Sequence, residues 1–95
     1  MFEHLSVEDA KSLLESTTVT LVDIRDPDSY HAGHIEGAKH LSSDSLPEFL
    51  NQADFDMPLI VYCYHGHSSQ PTAEFLAKQG FEKVYSLIGG YTAWQ

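Results

Sequence analysis

The stretch that decides the fold runs from Pro58 to Gly80 and reads PLIVYCYHGHSSQPTAEFLAKQG. Its first part, Pro58–Cys63, is an apolar run of the length and composition typical of a buried strand. A short loop with one glycine follows, and Ser69–Gln79 is predicted to form a helix that Gly80 ends. A strand, a loop and a helix in this order form the repeating unit of parallel sheets. The stretch therefore predicts an α/β fold.

The same alternation extends over the rest of the chain. The other predicted elements, in order, are a helix from a Ser6/Asp9 capping box to about Glu15, a strand Thr18–Ile24, a turn-rich segment Arg25–Ala38, a short strand Lys39–Leu41, a helix Ser42–Ala53, a strand Lys83–Leu87 and a last helical turn Tyr91–Gln95. Crossover connections in such sheets are right-handed, so helices should cover both faces. We therefore expect residues 1–95 to form a single small, doubly wound α/β domain with a central, mainly parallel sheet flanked by helices.

The composition excludes several classes of function. The chain of 95 residues carries 14 acidic and only five basic side chains, for a formal net charge of −9. Without a basic patch, neither nucleic acid nor an anionic membrane surface is an expected partner. No apolar run approaches the roughly 20 residues that a membrane span requires. The N-terminal residues lack a basic region followed by an apolar one, so no signal peptide is predicted and a cytoplasmic location is expected.

Cys63 is the only cysteine, and the predicted topology places it at the carboxyl end of a strand, where open α/β sheets bind ligands. The loop after it leaves backbone N–H groups of residues 64–69 without helical partners. Gly66 allows a tight turn, and Pro71 falls in the first turn of the helix. Converging amides at a helix N-terminus favour an anion, so the Cys63 thiol should ionise readily. The alternative is an inert, buried cysteine.

Two other interpretations of this loop are weaker. Cys63, His65 and His67 alternate as metal ligands sometimes do, but a closed zinc site needs four ligands at other spacings, so no metal is expected. A cysteine phosphatase would need an arginine at the sixth position after the cysteine to hold phosphate bidentately. Ser69 occupies that position, and no arginine or lysine occurs from residue 63 to 77.

Three segments together resemble the rhodanese family of sulfurtransferases. They are the front segment VDIRDPDSYHAGHIEGAKHL at Val22–Leu41, the loop VYCYHGHSS at Val61–Ser69 and the closing segment GGYTAW at Gly89–Trp94. The resemblance covers nearly the whole chain, and the three segments occur in the order and spacing of that family. It implies a small doubly wound domain whose catalytic residue is Cys63.

The resemblance also implies a reaction. The Cys63 thiolate would attack the outer sulfur of thiosulfate, or of another sulfane-sulfur donor, expel sulfite and become a persulfide. Cyanide or an external dithiol protein of the thioredoxin type would then take the sulfur, because the chain has no second cysteine, and no cofactor is expected. The residues expected to bind the substrate are Tyr64, His65, Gly66, His67, Ser68 and Ser69. The alternatives are a non-catalytic persulfide carrier or, less favoured, an enzyme similar to a cysteine phosphatase or arsenate reductase.

Asp23 and Arg25 flank the end of the predicted strand Thr18–Ile24 and are expected to support the site. Many thiosulfate-using members of the family carry a cation in the loop, whereas here only His65 and His67 could supply one. Arg25 is therefore the best candidate cation if donor binding needs one. The alternative for Asp23 and Arg25 is a simple surface ion pair, which would contribute under ~1 kcal/mol.

Overall fold

Strands and helices alternate along the whole chain in the computed structural model, which describes residues 1–95. The elements are β1 (Glu3–Leu5), α1 (Val7–Ser16), β2 (Thr20–Asp23), α2 (Pro27–Ala32), β3 (Lys39–His40), α3 (Leu46–Gln52), β4 (Leu59–Tyr62), α4 (Ser69–Lys78), β5 (Val84–Leu87) and α5 (Gly90–Trp94). None of these helices has the length and apolarity needed to cross a membrane.

The five strands form one parallel sheet in the order β1-β5-β4-β2-β3. β4 lies at its centre, between β5 and β2, and every residue of β4 is buried. Its carboxyl end leads directly into Cys63. The predicted α/β class with a parallel sheet is confirmed, and the topology places the single thiol at the middle of the edge where this architecture binds ligands.

Two apolar clusters cover the two faces of the sheet, because successive residues of a strand point to opposite sides. Val61 of β4 packs in the cluster that includes Leu76 of α4, with side chains of α3 around it. Ile60 and Tyr62 pack in the cluster that includes Ala10 of α1, with Trp94 of α5 beside it. Helices therefore cover both faces, as the sequence predicts.

Two elements were not predicted. β1 has only three residues and pairs with β5 at the edge of the sheet, so it carries too short a pattern to be recognised. α2 lies within the segment Arg25–Ala38, for which we predicted turns. Asp26 caps α2 by accepting a bond from the Ser29 amide, and Pro27 opens its first turn, which is a favourable helix start.

Other boundaries differ by a few residues. The predicted strand Thr18–Ile24 is shortened to β2, because its neighbours β3 and β4 pair only with Thr20–Asp23. The predicted helix Ser42–Ala53 begins at Leu46 instead. Ser42 and Ser45 exchange hydrogen bonds between amides and hydroxyls, and these hold the segment before α3 in a turn.

Candidate active site

Cys63 is only 5% exposed and lies beside a cavity of about 260 Å³ at the carboxyl end of β4. The cavity is lined by Ile24, Arg25, Cys63, Tyr64, His65, His67 and Ser68. Four of the six loop residues expected to bind substrate therefore line it. The other two, Gly66 and Ser69, contact the sulfur itself, so the structure brings all six to one place.

Three hydrogen bonds surround the Cys63 sulfur. The backbone amides of Gly66 and Ser69 donate to Sγ at 3.2 and 3.3 Å, and the Ser69 hydroxyl lies 3.4 Å from it. Burial by itself would raise the pKa of the Cys63 thiol, but the bonds from the Ser69 hydroxyl and from the loop amides outweigh it. The pKa of this thiol is therefore lowered, as expected of a sulfur in an amide cradle.

The loop amides can face the sulfur because the loop carbonyls are bound elsewhere. The first turn of α5 donates two backbone bonds to the loop. The Tyr91 amide binds the carbonyl of Cys63 at 2.8 Å, and the Thr92 amide binds that of Tyr64 at 3.0 Å. The closing segment Gly89–Trp94 therefore holds the loop in the conformation that directs the N–H groups of Gly66 and Ser69 toward the sulfur.

Glycine is required at two points of this junction. Gly66 has φ +91°, and a Cβ there would lie 2.7 Å from the amide nitrogen of Gly89. Gly90 has φ +61°, and a Cβ there would lie 2.5 Å from the carbonyl oxygen of Cys63. Gln70 secures the turn from the other side, because its Nε2 donates to the Gly66 carbonyl at 2.8 Å. Sequence reasoning identified Gly66 but missed Gln70.

A second serine lies behind the first. The hydroxyls of Ser69 and Ser86 are 2.7 Å apart, and both side chains are buried. Ser86 belongs to β5 and was not predicted to belong to the site. Its signal in the sequence is a polar residue within the otherwise apolar run VYSL, although that pattern alone does not show what the hydroxyl contacts.

Asp23 and Arg25 form a buried ion pair beside the cavity, so the alternative of an exposed surface pair is wrong. The Arg25 Nη2 donates to Asp23 Oδ2 at 2.7 Å and to the Gly33 carbonyl at 2.6 Å. The Arg25 side chain is only 3% exposed, and its guanidinium lies over the Tyr91 ring. The bond from Asp23 raises the pKa of Arg25 further. Arg25 therefore lines the cavity with its charge already paired, rather than as a free cation.

Tyr64 stands at the mouth of the cavity and is 42% exposed. Its hydroxyl donates to Asp26 Oδ1 at 3.1 Å and also bonds to the hydroxyl of Ser29. Tyr64 therefore ties the start of the loop to the start of α2. Ser68 precedes α4 but makes no side-chain bond to the helix amides, and it lines the cavity instead.

The histidines of the loop do not form a metal centre. His65 Nδ1 lies 3.3 Å from the Thr92 hydroxyl. No three histidine, cysteine, aspartate or glutamate side chains lie close enough together to hold a metal ion. The cavity thus offers backbone amides, one low-pKa thiol and two histidines, a set of groups suited to nucleophilic chemistry on an anion.

Comparison with known protein families gives one match over nearly the whole chain, because residues 6–95 match the rhodanese-like domain. The chain belongs to the rhodanese family. The resemblance predicted from three separate segments of the sequence is thereby confirmed.

Two similar rhodanese relatives are bacterial proteins named thiosulfate sulfurtransferase GlpE. The one from Pseudoalteromonas translucida is 49% identical over 94 residues, covering 99% of this chain and 90% of the relative. The one from Shewanella oneidensis is 52% identical over 93 residues, covering 98% and 92%. Among solved structures, a rhodanese-like domain protein from Staphylococcus aureus superimposes with a TM-score of 0.85 at 28% identity, covering 99% of this chain and 92% of that one.

Proposed function

We propose that this rhodanese is a thiosulfate sulfurtransferase in which Cys63 carries the transferred sulfur as a persulfide. One observation carries the proposal: the amides of Gly66 and Ser69 both donate to the sulfur of the only thiol in the chain. The names of the two bacterial relatives support thiosulfate as the donor.

In the first step, the Cys63 thiolate attacks the outer sulfur of thiosulfate. A new S–S bond forms, the S–S bond of thiosulfate breaks, and sulfite leaves with the bonding electron pair. No proton needs to move when the thiolate is the attacking form, because the persulfide that forms is also an anion. The amides of Gly66 and Ser69 stabilise first the thiolate and then the negative charge on the added sulfur.

In the second step, an external nucleophile removes that sulfur. Cyanide attacks the outer sulfur, thiocyanate leaves, and the Cys63 thiolate is restored. With a dithiol protein, one thiol takes the sulfur as a persulfide, and the other displaces it as hydrogen sulfide by forming a disulfide. Since Cys63 is the only cysteine, the acceptor must come from outside the chain. The covalent persulfide allows sulfite to leave before the acceptor binds, so we expect ping-pong kinetics.

Two rival functions fit the geometry less well. A cysteine phosphatase needs a guanidinium where Ser69 stands, and the nearest one, on Arg25, is occupied by Asp23. A non-catalytic persulfide carrier would use the same amide cradle. It differs in one measurable respect, since it would form the persulfide without turning over.

Intact-mass spectrometry after incubation with thiosulfate tests the proposal. We expect a mass increase of one sulfur atom on the protein, its loss on addition of cyanide, and formation of thiocyanate over many cycles. Cys63→Ser is the matched control, because it keeps the size of the side chain and removes the nucleophile. An adduct on Cys63→Ser would contradict the proposal. So would a wild-type protein that hydrolyses phosphate esters and gains no sulfur, or a persulfide that no acceptor removes.

A further inference from the structure

A chain of two buried hydroxyls connects the Cys63 sulfur to the strand β5. The Ser69 hydroxyl lies 3.4 Å from Sγ and 2.7 Å from the Ser86 hydroxyl. Ser69 is 0% exposed and Ser86 is 1% exposed, so water reaches neither. The Ser86 hydroxyl has no other hydrogen-bond partner in the structure.

Because Ser86 has no other partner, the protonation state of Cys63 limits which group can donate in each of these hydrogen bonds. When Cys63 is a thiolate, Ser86 donates to Ser69 and Ser69 donates to the sulfur, so both hydroxyl protons are bonded. When Cys63 is a thiol that donates to Ser69, three protons share the two contacts between these groups, so the hydroxyl proton of either Ser69 or Ser86 has no acceptor. A buried donor without a partner is destabilising. The arrangement of the two serines therefore favours the ionised sulfur.

We propose that Ser86 is a positioning residue, whose hydroxyl orients that of Ser69 so that it donates to the ionised sulfur of Cys63. Ser86 does not touch the sulfur and acts only through Ser69. As regards sulfur transfer, the inference rests on the proposed function. The ionised sulfur is the nucleophile when the donor is captured and the leaving group when the acceptor removes the sulfur, so Ser86 supports both steps.

Other groups near the two hydroxyls could also influence the ionisation of the Cys63 sulfur. The charged and titratable side chains that line the cavity are Arg25, Tyr64, His65 and His67. The first turn of α4 carries no acidic residue, and Tyr91 of α5 lies next to Arg25. On β1, His4 pairs in register with Ser86. None of these groups is a hydrogen-bond partner of Ser86, so a variant at Ser86 can be distinguished from variants at these residues.

The test is the rate at which iodoacetamide alkylates Cys63 as a function of pH, measured by intact mass. Because the chain has one cysteine, each reading reports this thiol alone. We expect Ser86→Ala to move the midpoint of the profile up by roughly 0.5–1 pH unit, which lowers the alkylation rate below the midpoint about three- to tenfold. His4→Gln is the matched control and should leave the midpoint unchanged.

A double-mutant cycle separates positioning from any structural effect. Ser69→Ala alone should raise the midpoint, and Ser86→Ala should add no further shift in the Ser69→Ala background. An unchanged midpoint in Ser86→Ala would overturn the inference, as would an equal shift with and without Ser69. Because alkylation requires no sulfur donor, the result is independent of whether thiosulfate forms the adduct described under the proposed function.

Discussion

At the scale of single residues, the ion pair between Asp23 and Arg25 is the feature of the site that is most costly to bury. Both side chains are removed from water, and the bonds between them offset the cost of burying two charges. Arg25 forms part of the wall beside Cys63, and its guanidinium binds the carbonyl of Gly33 and covers the ring of Tyr91. Loss of the ion pair would therefore alter the site as well as destabilise the fold.

Replacing Asp23 by alanine leaves a buried guanidinium without its partner, and we expect a loss of about 3–5 kcal/mol in the free energy of unfolding. Urea unfolding at neutral pH measures it. The control is Glu3→Ala, which removes the exposed partner of Lys83 and should cost under ~1 kcal/mol. Equally small losses for the two variants would contradict this prediction, because they would show that leaving Arg25 buried without its partner has little cost.

The lowered pKa of the Cys63 thiol predicts a pH dependence with a definite sign. The alkylation rate of folded protein should rise with pH and level off below the pH at which a free thiol, with a pKa of about 8.5, ionises. The charged form is the one that folding stabilises. This contribution to stability is therefore complete above the pKa of the unfolded thiol, and it is lost as pH falls through the folded pKa. Alkylation profiles of folded and urea-unfolded protein check the prediction, and coinciding midpoints would contradict it.

At the scale of elements, the loop of residues 64–68 depends on α5 as much as on the strand and helix that it connects. Tyr91 and Thr92 bind the carbonyls of Cys63 and Tyr64, and the backbone of the loop approaches Gly89 and Gly90 so closely that no side chain fits between them. The loop conformation is thus a property of the junction between two segments that are distant in sequence.

Two glycines with nearly the same backbone conformation test this dependence. Gly66 and Gly37 have φ +91° and +87°, so alanine is similarly strained at both. A Cβ at Gly66 collides with the Gly89 backbone, whereas a Cβ at Gly37 meets nothing within 4 Å. We expect Gly66→Ala to slow sulfur capture at least tenfold, since the amides move away from the sulfur, while Gly37→Ala keeps the wild-type rate. Similar capture rates for the two variants would contradict the junction model of the loop.

How far the sequence predicts these elements depends on how local their causes are. The strand and helix on either side of Cys63 follow from a continuous apolar run and a helix ended by Gly80, and both were predicted. β1 was not predicted, because three residues carry no pattern until β5 lies beside them. The amide cradle was predicted from Gly66 and the strand–loop–helix order. Ser86 was missed because its contact with Ser69 joins β5 to α4, a pairing that only the folded sheet creates.

At the scale of the whole molecule, the negative net charge repels the proposed anionic donor, thiosulfate. The chain carries a formal charge of −9, and the cation nearest the sulfur, Arg25, is neutralised by Asp23. Repulsion of a dianion is screened beyond roughly 8 Å at physiological salt, whereas the loop amides act at contact distance. Attraction is therefore local, and the cost of the overall charge should appear in the rate of encounter.

Anionic iodoacetate and neutral iodoacetamide separate these two effects. Raising the ionic strength should speed alkylation of Cys63 by iodoacetate by up to about threefold, because it screens the repulsion, and should leave the iodoacetamide rate unchanged. The rate of thiosulfate capture should depend on salt in the same way as the iodoacetate rate, because both reagents are anions. A steep fall of both anionic rates with salt would contradict this account, since it would require cationic steering toward the site.

The tie between the loop and α5 has a consequence for biosynthesis. A ribosome makes Cys63 well before Gly89, Gly90, Tyr91 and Thr92, the residues that hold its loop in place. Until those residues have emerged, we expect the thiol of the nascent chain to ionise as an ordinary cysteine does. We therefore expect the lowered pKa of the Cys63 thiol to arise only when the last helix docks against the loop.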